Sequence, residues 1–86
     1  MKKEELKRKV KELDLLKYLE LYQPHSYESL NTCLDRNKTI FKEAVTEDIT
    51  YEEIGKRHGI TRNYVRSIVH KIYSKLINAY VIKEGD

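Results

Sequence analysis

Tryptophan is absent from the 86 residues, and cysteine, proline and phenylalanine each occur once. With Cys33 alone there is no disulfide framework, which points to a reducing compartment or indifference to one. Cys33 is expected to be a small buried hydrophobe. No apolar run approaches the ~18 residues that a membrane span needs. The charged start lacks the apolar stretch of a secretory leader, so the expectation is a soluble, cytoplasmic protein. No phosphate-cradling loop is expected, since Gly55, Gly59 and Gly85 all have structural explanations. His25, His58 and His70 have no metal-ligand spacing with each other or with Cys33. The chain is therefore expected to be no enzyme and to need no cofactor and no metal. A chain of this length makes one small domain with a thin stability margin, and the helical patterns that follow make it all-α.

What is present concentrates in residues 50–76, TYEEIGKRHGITRNYVRSIVHKIYSKL. Two helical patterns meet at a tight turn, which predicts a helix-turn-helix. Ile54, Ile60, Val65 and Ile68 hold the apolar slots between the two helices. Gly55 fills a slot that must be small, because the second helix presses on the backbone there. Gly59 fills one that must be left-handed, which costs glycine no Cβ clash. His58 stands in a slot that is usually apolar, and is expected to be a partly buried packing residue. Thr50 with Glu53 spells a capping box, and Thr61 caps the second helix.

The rest of the chain reads as helices around this motif. Residues 3–22 predict one amphipathic helix, with Leu6, Val10, Leu13, Leu16 and Leu19 in a stripe. It is expected to cover a core or to pair with a second copy, so residues 1–23 are set apart from a helix-turn-helix domain over 26–86. Gln23-Pro24-His25 ends that helix. A short turn or helix follows, with Leu30, Cys33 and Leu34 as its apolar points. Asp35 is expected to cap the next helix, which buries Ile40, Phe41, Ala44 and Val45, with Phe41 as the first choice for the core. The last helix starts at Thr61 and runs to about Lys83, roughly 33 Å at 1.5 Å per residue. Its second half, through Ile72, Tyr73, Leu76, Ile77, Tyr80 and Val81, is too apolar to stay wet and needs a cover.

Charge is uneven. The net +3 arises from a basic surplus over residues 1–23 and 61–86, with an acidic surplus between. A basic second helix suits an approach to phosphates. Projected at about 100° per residue, that helix turns Asn63, Arg66, Ser67 and His70 away from its apolar side. Arg62 and Arg66 are built to form forked bonds with guanine, Asn63 pairs with adenine, and Ser67 is short and tolerant. These four are the expected base readers in duplex DNA. Lys71, His70, Tyr64, Thr50 and Arg36 are the expected phosphate contacts, Thr50 through the free amides that open the first motif helix.

These residues resemble region 4 of bacterial sigma factors, a promoter-reading module, whose pattern runs T-L-E-E-I-G-x-x-x-G-V-T-R-E-R-V-R-Q-I-E-x-K-A-L-x-K-L. Glu52-Glu53-Ile54-Gly55, Thr61-Arg62, Val65-Arg66 and Lys71 fall in register, and DRNKTIFKEAV is similar to an upstream helix of the same region. The resemblance implies base contacts from Arg62 and from the positions of Asn63 and Ser67. It implies phosphate contacts from Arg66, Lys71, Thr50 and Arg36. It also implies docking on the β flap of RNA polymerase. Asn63, Ser67, Tyr64, Val69 and Ala44 depart from the family's usual Glu, Gln, Arg, Glu and Arg. Nothing resembles the promoter-melting region 2. The expectation is a free-standing, sequence-specific DNA-binding regulator, acting as a homodimer. The alternative is a protein-interaction module that docks on RNA polymerase or on a sigma or anti-sigma partner.

Overall fold

A computed structural model describes residues 2–21 and 31–84, and their side chains except those of 20, 21, 31–34 and 84. Four α-helices and one 3-10 helix make up the described residues, with no strand among them. They are α1 (Lys3–Glu12), a 3-10 helix (Leu15–Leu21), α2 (Asn31–Thr46), α3 (Tyr51–His58) and α4 (Arg62–Glu84). The small all-α architecture with a helix-turn-helix is as the sequence implies. The expected helix end at Gln23-Pro24-His25 and the apolar point Leu30 lie outside the described residues, as do the side chains of Cys33 and Leu34.

The α3–α4 pair follows from local chemistry. Thr50 is extended, and its hydroxyl accepts the Glu53 amide at 3.1 Å, relieving one of the free donors that open a helix. Gly59 ends α3 at φ +70°, the left-handed region that a Cβ disfavours. The Ile60 amide then donates back to the Gly55 carbonyl at 2.9 Å. This closes the turn so tightly that a Cβ on Gly55 would lie 2.5 Å from the Ile60 carbonyl oxygen. Thr61 caps α4 by accepting the Tyr64 amide at 3.1 Å. Ile54, Val65 and Ile68 are buried between the two helices, and Phe41, fully buried, backs them from α2 together with Ile40 and Ala44.

The N-terminal segment departs from the straight helix expected over 3–22. Helix α1 stops at Glu12, Asp14 takes a positive φ of 51°, and the chain resumes as the 3-10 helix. Aspartate tolerates that backbone better than most residues. The break re-aims the chain. A continuous stripe would bury Leu13 and Leu16, yet these are only half-buried, while Leu15, Tyr18 and Leu19 are buried. With three residues per turn, Leu15 and Tyr18 stand one above the other and Leu19 sits beside them. Together with Leu6 and Val10 they belong to the same apolar core as Phe41 and Ile54.

A second departure is α2, which begins at Asn31, so Asp35 lies inside it, exposed, and is not its cap. No glycine or proline interrupts residues 31–46, and a solvent-facing aspartate is tolerated in a helix at small cost. Ile40, Phe41 and Ala44 are buried as expected, and Val45 is half-buried.

Helix α4 is long because its second half has its own cover. The 3-10 helix packs on α4, and α1 packs on the 3-10 helix and on α2. Ile72 and Leu76 are thereby buried, with Tyr73, Ile77 and Tyr80 partly so. The cover comes from the same chain. It stops short of the end: Val81 is 57 % exposed and Ile82 76 %, against the expectation that Val81 would be covered. Among the described residues no helix is long and apolar enough to cross a membrane.

Candidate nucleic-acid interface

Helix α4 divides its first half sharply. Val65, Ile68, Val69 and Ile72 are buried; Asn63, Arg66 and Ser67 are exposed on the other side. Asn63, Arg66, Ser67 and His70 line one shallow hollow of about 340 Å³. The outward face expected from the helical projection is therefore a continuous surface of amide, guanidinium, hydroxyl and imidazole groups. Arg62, the fourth expected base reader, stands apart. It lines a separate hollow with Thr50, Tyr51 and Lys3, where Glu4, Asp48 and Glu52 also lie. The projection explains this, because Arg62 sits about 100° around the helix from Asn63.

Of the expected phosphate contacts, two are joined and three stand apart. Arg36 and Tyr64 meet, although 28 residues separate them. The Arg36 guanidinium lies 5.6 Å from the centre of the Tyr64 ring, and its Nη2 donates to the Tyr64 hydroxyl at 3.5 Å. Asn37 Oδ1 accepts from both Nε and Nη2 of Arg36 at 3.3 Å, which fixes the plane of the guanidinium. This chain of contacts ties α2 to the head of α4. Thr50 lies at the opening of α3, its hydroxyl already engaged as the cap. Lys71 is exposed on the flank of α4. His70, expected at the surface, is half-buried, and its pKa lies below the ordinary histidine value because of that burial and of the neighbouring Arg66 charge.

Several long-range contacts were not foreseeable from the sequence. Lys3 reaches from α1 to donate to the Ile49 carbonyl, and its ammonium lies 5.4 Å from the Tyr51 ring centre. Burial and the nearby Lys7 lower the Lys3 pKa. The Tyr51 hydroxyl is buried with no partner, and its burial raises the phenol pKa. His58, half-buried as expected in its unusual slot, is held by an acid: its Nε2 lies 2.9 Å from Glu43 Oε1. Arg57 reaches the other oxygen of Glu43, and also Glu47, at 3.2 Å each. Lys3 lies 46 residues from Ile49, and His58 lies 15 from Glu43, so neither pairing has a local sequence signal. The unusual polarity of His58 in an apolar slot was the one available hint that an acid lay nearby.

A capped helix, a left-handed glycine turn and a second helix with a polar outward face define a helix-turn-helix domain of the DNA-binding kind. Comparison with known families agrees: the pattern of the family described as sigma-70, region 4 matches residues 29–77, more than half of the chain. The chain belongs to the sigma-70 region 4 family. No curated protein and no solved structure matches it. The family match starts after the 3-10 helix, so α1 and that helix lie outside the matched residues.

Proposed function

We propose that this protein is a sequence-specific DNA-binding transcription regulator that inserts the first half of α4 into the major groove. The observation that carries the reading is the outward hollow that Asn63, Arg66, Ser67 and His70 share on a helix whose opposite side is buried. Arg66 and Asn63 supply forked contacts to guanine and adenine, with Ser67 between them. Arg62 reaches over the head of the helix. Arg36, held by Asn37 and Tyr64, grips a phosphate on one flank, together with Lys71. The opening of α3 at Thr50 supplies amides to another. One such helix reads few base pairs, so two copies about 34 Å apart would supply the specificity. They would meet through surfaces other than the apolar stripe of α1, which their own chains cover. The setting that suits this role is the cytoplasm.

The test is duplex binding against salt concentration. Arg62→Ala with Arg66→Ala is expected to lower affinity at least tenfold and to flatten the salt dependence. Unchanged affinity, with an unchanged circular dichroism spectrum, would sink the groove assignment.

A second reading is docking on RNA polymerase with little DNA binding. It is favoured by a groove of about 550 Å³ between α1 and the end of α2, where Val10, Leu16 and Val45 are flanked by Lys7, Arg8 and Lys11. Retention of polymerase from DNA-free, nuclease-treated extract would support it. Failure to retain any polymerase subunit would count against it.

A further inference from the structure

Among the outward residues of α4, His70 occupies the place least suited to a phosphate. Taking Asn63 as the origin and about 100° per residue, Arg66 falls at −60°, His70 at −20° and Ser67 at +40°. Lys71 and Tyr64 fall farther round, at roughly +80° and +100°. His70 thus lies at the middle of the outward face, and the phosphate-seeking residues lie at its flank. A helix seated in the major groove turns the middle of such a face to the base edges and its flanks to the two backbones. The hollow states the same grouping independently: Asn63, Arg66, Ser67 and His70 line it, and Lys71 and Tyr64 do not.

We propose that His70 is a specificity-determining residue that reads a base edge one turn beyond Arg66. The inference rests on the DNA-binding reading above. It also moves His70 from the phosphate contacts suggested by sequence to the base-reading set. From Asn63 to His70 the stripe is about 10 Å long, roughly three base steps. His70 is the last of the four residues and meets the outermost of those steps. Its protonation state fits. Burial and Arg66 disfavour the charged ring, so at neutral pH the imidazole carries one donor and one acceptor and no net charge. Such a ring offers little to a phosphate, where a charged donor binds best. It can accept from the exocyclic amine of cytosine or adenine, or donate to the acceptors of guanine.

The experiment is selection of bound sequences from a pool of random duplexes, combined with salt titration on the selected site. The proteins are the wild-type chain, His70→Ala, His70→Asn and Lys71→Ala. With His70→Ala, preference at one outer base pair is expected to fall about fivefold, at the low end of what a base contact contributes, with the salt slope unchanged. His70→Asn should move that position towards adenine. Lys71→Ala should keep the motif and reduce the salt slope by about one. A motif unaltered in both His70 variants overturns the inference, whether or not their salt slope falls. Absence of any enriched motif for the wild-type chain overturns the DNA-binding reading itself, and this inference with it. The asparagine variant guards against loss of fold, because asparagine keeps a polar side chain at a site that faces outward.

Discussion

The helix-turn-helix and the N-terminal segment bury comparable side chains in one core, yet they reach it by different means. In α3 and α4 the path of the chain is dictated by residues at the turn itself: Thr50, Gly55, Gly59 and Thr61 each leave the backbone few alternatives. Between Lys3 and Leu21 no residue has that authority. The break at Leu13–Asp14 exists because Leu15, Tyr18 and Leu19 find a better seat on α4 than a straight helix would give them. One region is shaped by its turn and the other by its destination. Local punctuation can be read in a sequence. A destination requires knowing where a distant helix will lie.

The comparison breaks most visibly at Gly55. Gly55→Ala places a Cβ against a backbone oxygen that cannot swing aside, and about 4 kcal/mol of stability should be lost, beyond the common range for overpacking. Thermal or urea denaturation measures it, and a loss under about 1 kcal/mol would show that the turn yields more easily than its geometry implies. Next comes a pair of truncations that tests the kink. Leu19→Ala should cost about 3 kcal/mol, since the residue is fully buried, whereas Leu16→Ala should cost about 1 kcal/mol. Equal losses in the same denaturation assay would restore the straight helix, in which both share one stripe. Thr50→Ala should remove about 1 kcal/mol through the lost cap, and a helical content that stays level with faster amide exchange at residues 51–54 would localise the loss.

The smallest effect concerns pH. The His70 pKa is lower in the folded chain than in the unfolded one, so unfolded chains bind the proton more readily. The stability that its neutral form contributes is present above the unfolded value of about 6.5 and declines as pH falls through it. Removing the Arg66 charge with Arg66→Gln should raise the His70 pKa in a proton NMR titration. An unmoved titration would show that the Arg66 charge does not act on the ring.

Much of the fold was legible for these reasons. The helical period of α4 marked Val65, Ile68, Val69, Ile72 and Leu76 as buried, and the same projection marked Asn63, Arg66 and Ser67 as outward. Phe41 was identifiable as core because a lone phenylalanine on an apolar stripe has few other uses. The kink was not legible. Leucines at 13, 15, 16, 19 and 21 permit two different stripes, and nothing local chooses between them. The start of α2 is not legible because Asp35 resembles a cap, and a cap is identified only when the residues before it fail to be helical. At the candidate interface, the Arg36–Tyr64 and Lys3–Tyr51 contacts depend on how α1, α2, α3 and α4 pack together, which no spacing within one helix encodes.

The seating of the N-terminal segment on α4 also sets an order of events during synthesis. Leu15, Tyr18 and Leu19 are translated before Ile72 and Leu76, which join the same core from the helix that the 3-10 segment packs on. At about 5 to 20 residues per second, roughly 3 to 11 s pass between Leu19 and Leu76. The glycine turn joins neighbours in sequence and forms as soon as it emerges, whereas the 3-10 segment waits for α4 before it docks. Over that interval its leucines are open to chaperones, and the kink at Asp14 becomes fixed only when α4 arrives.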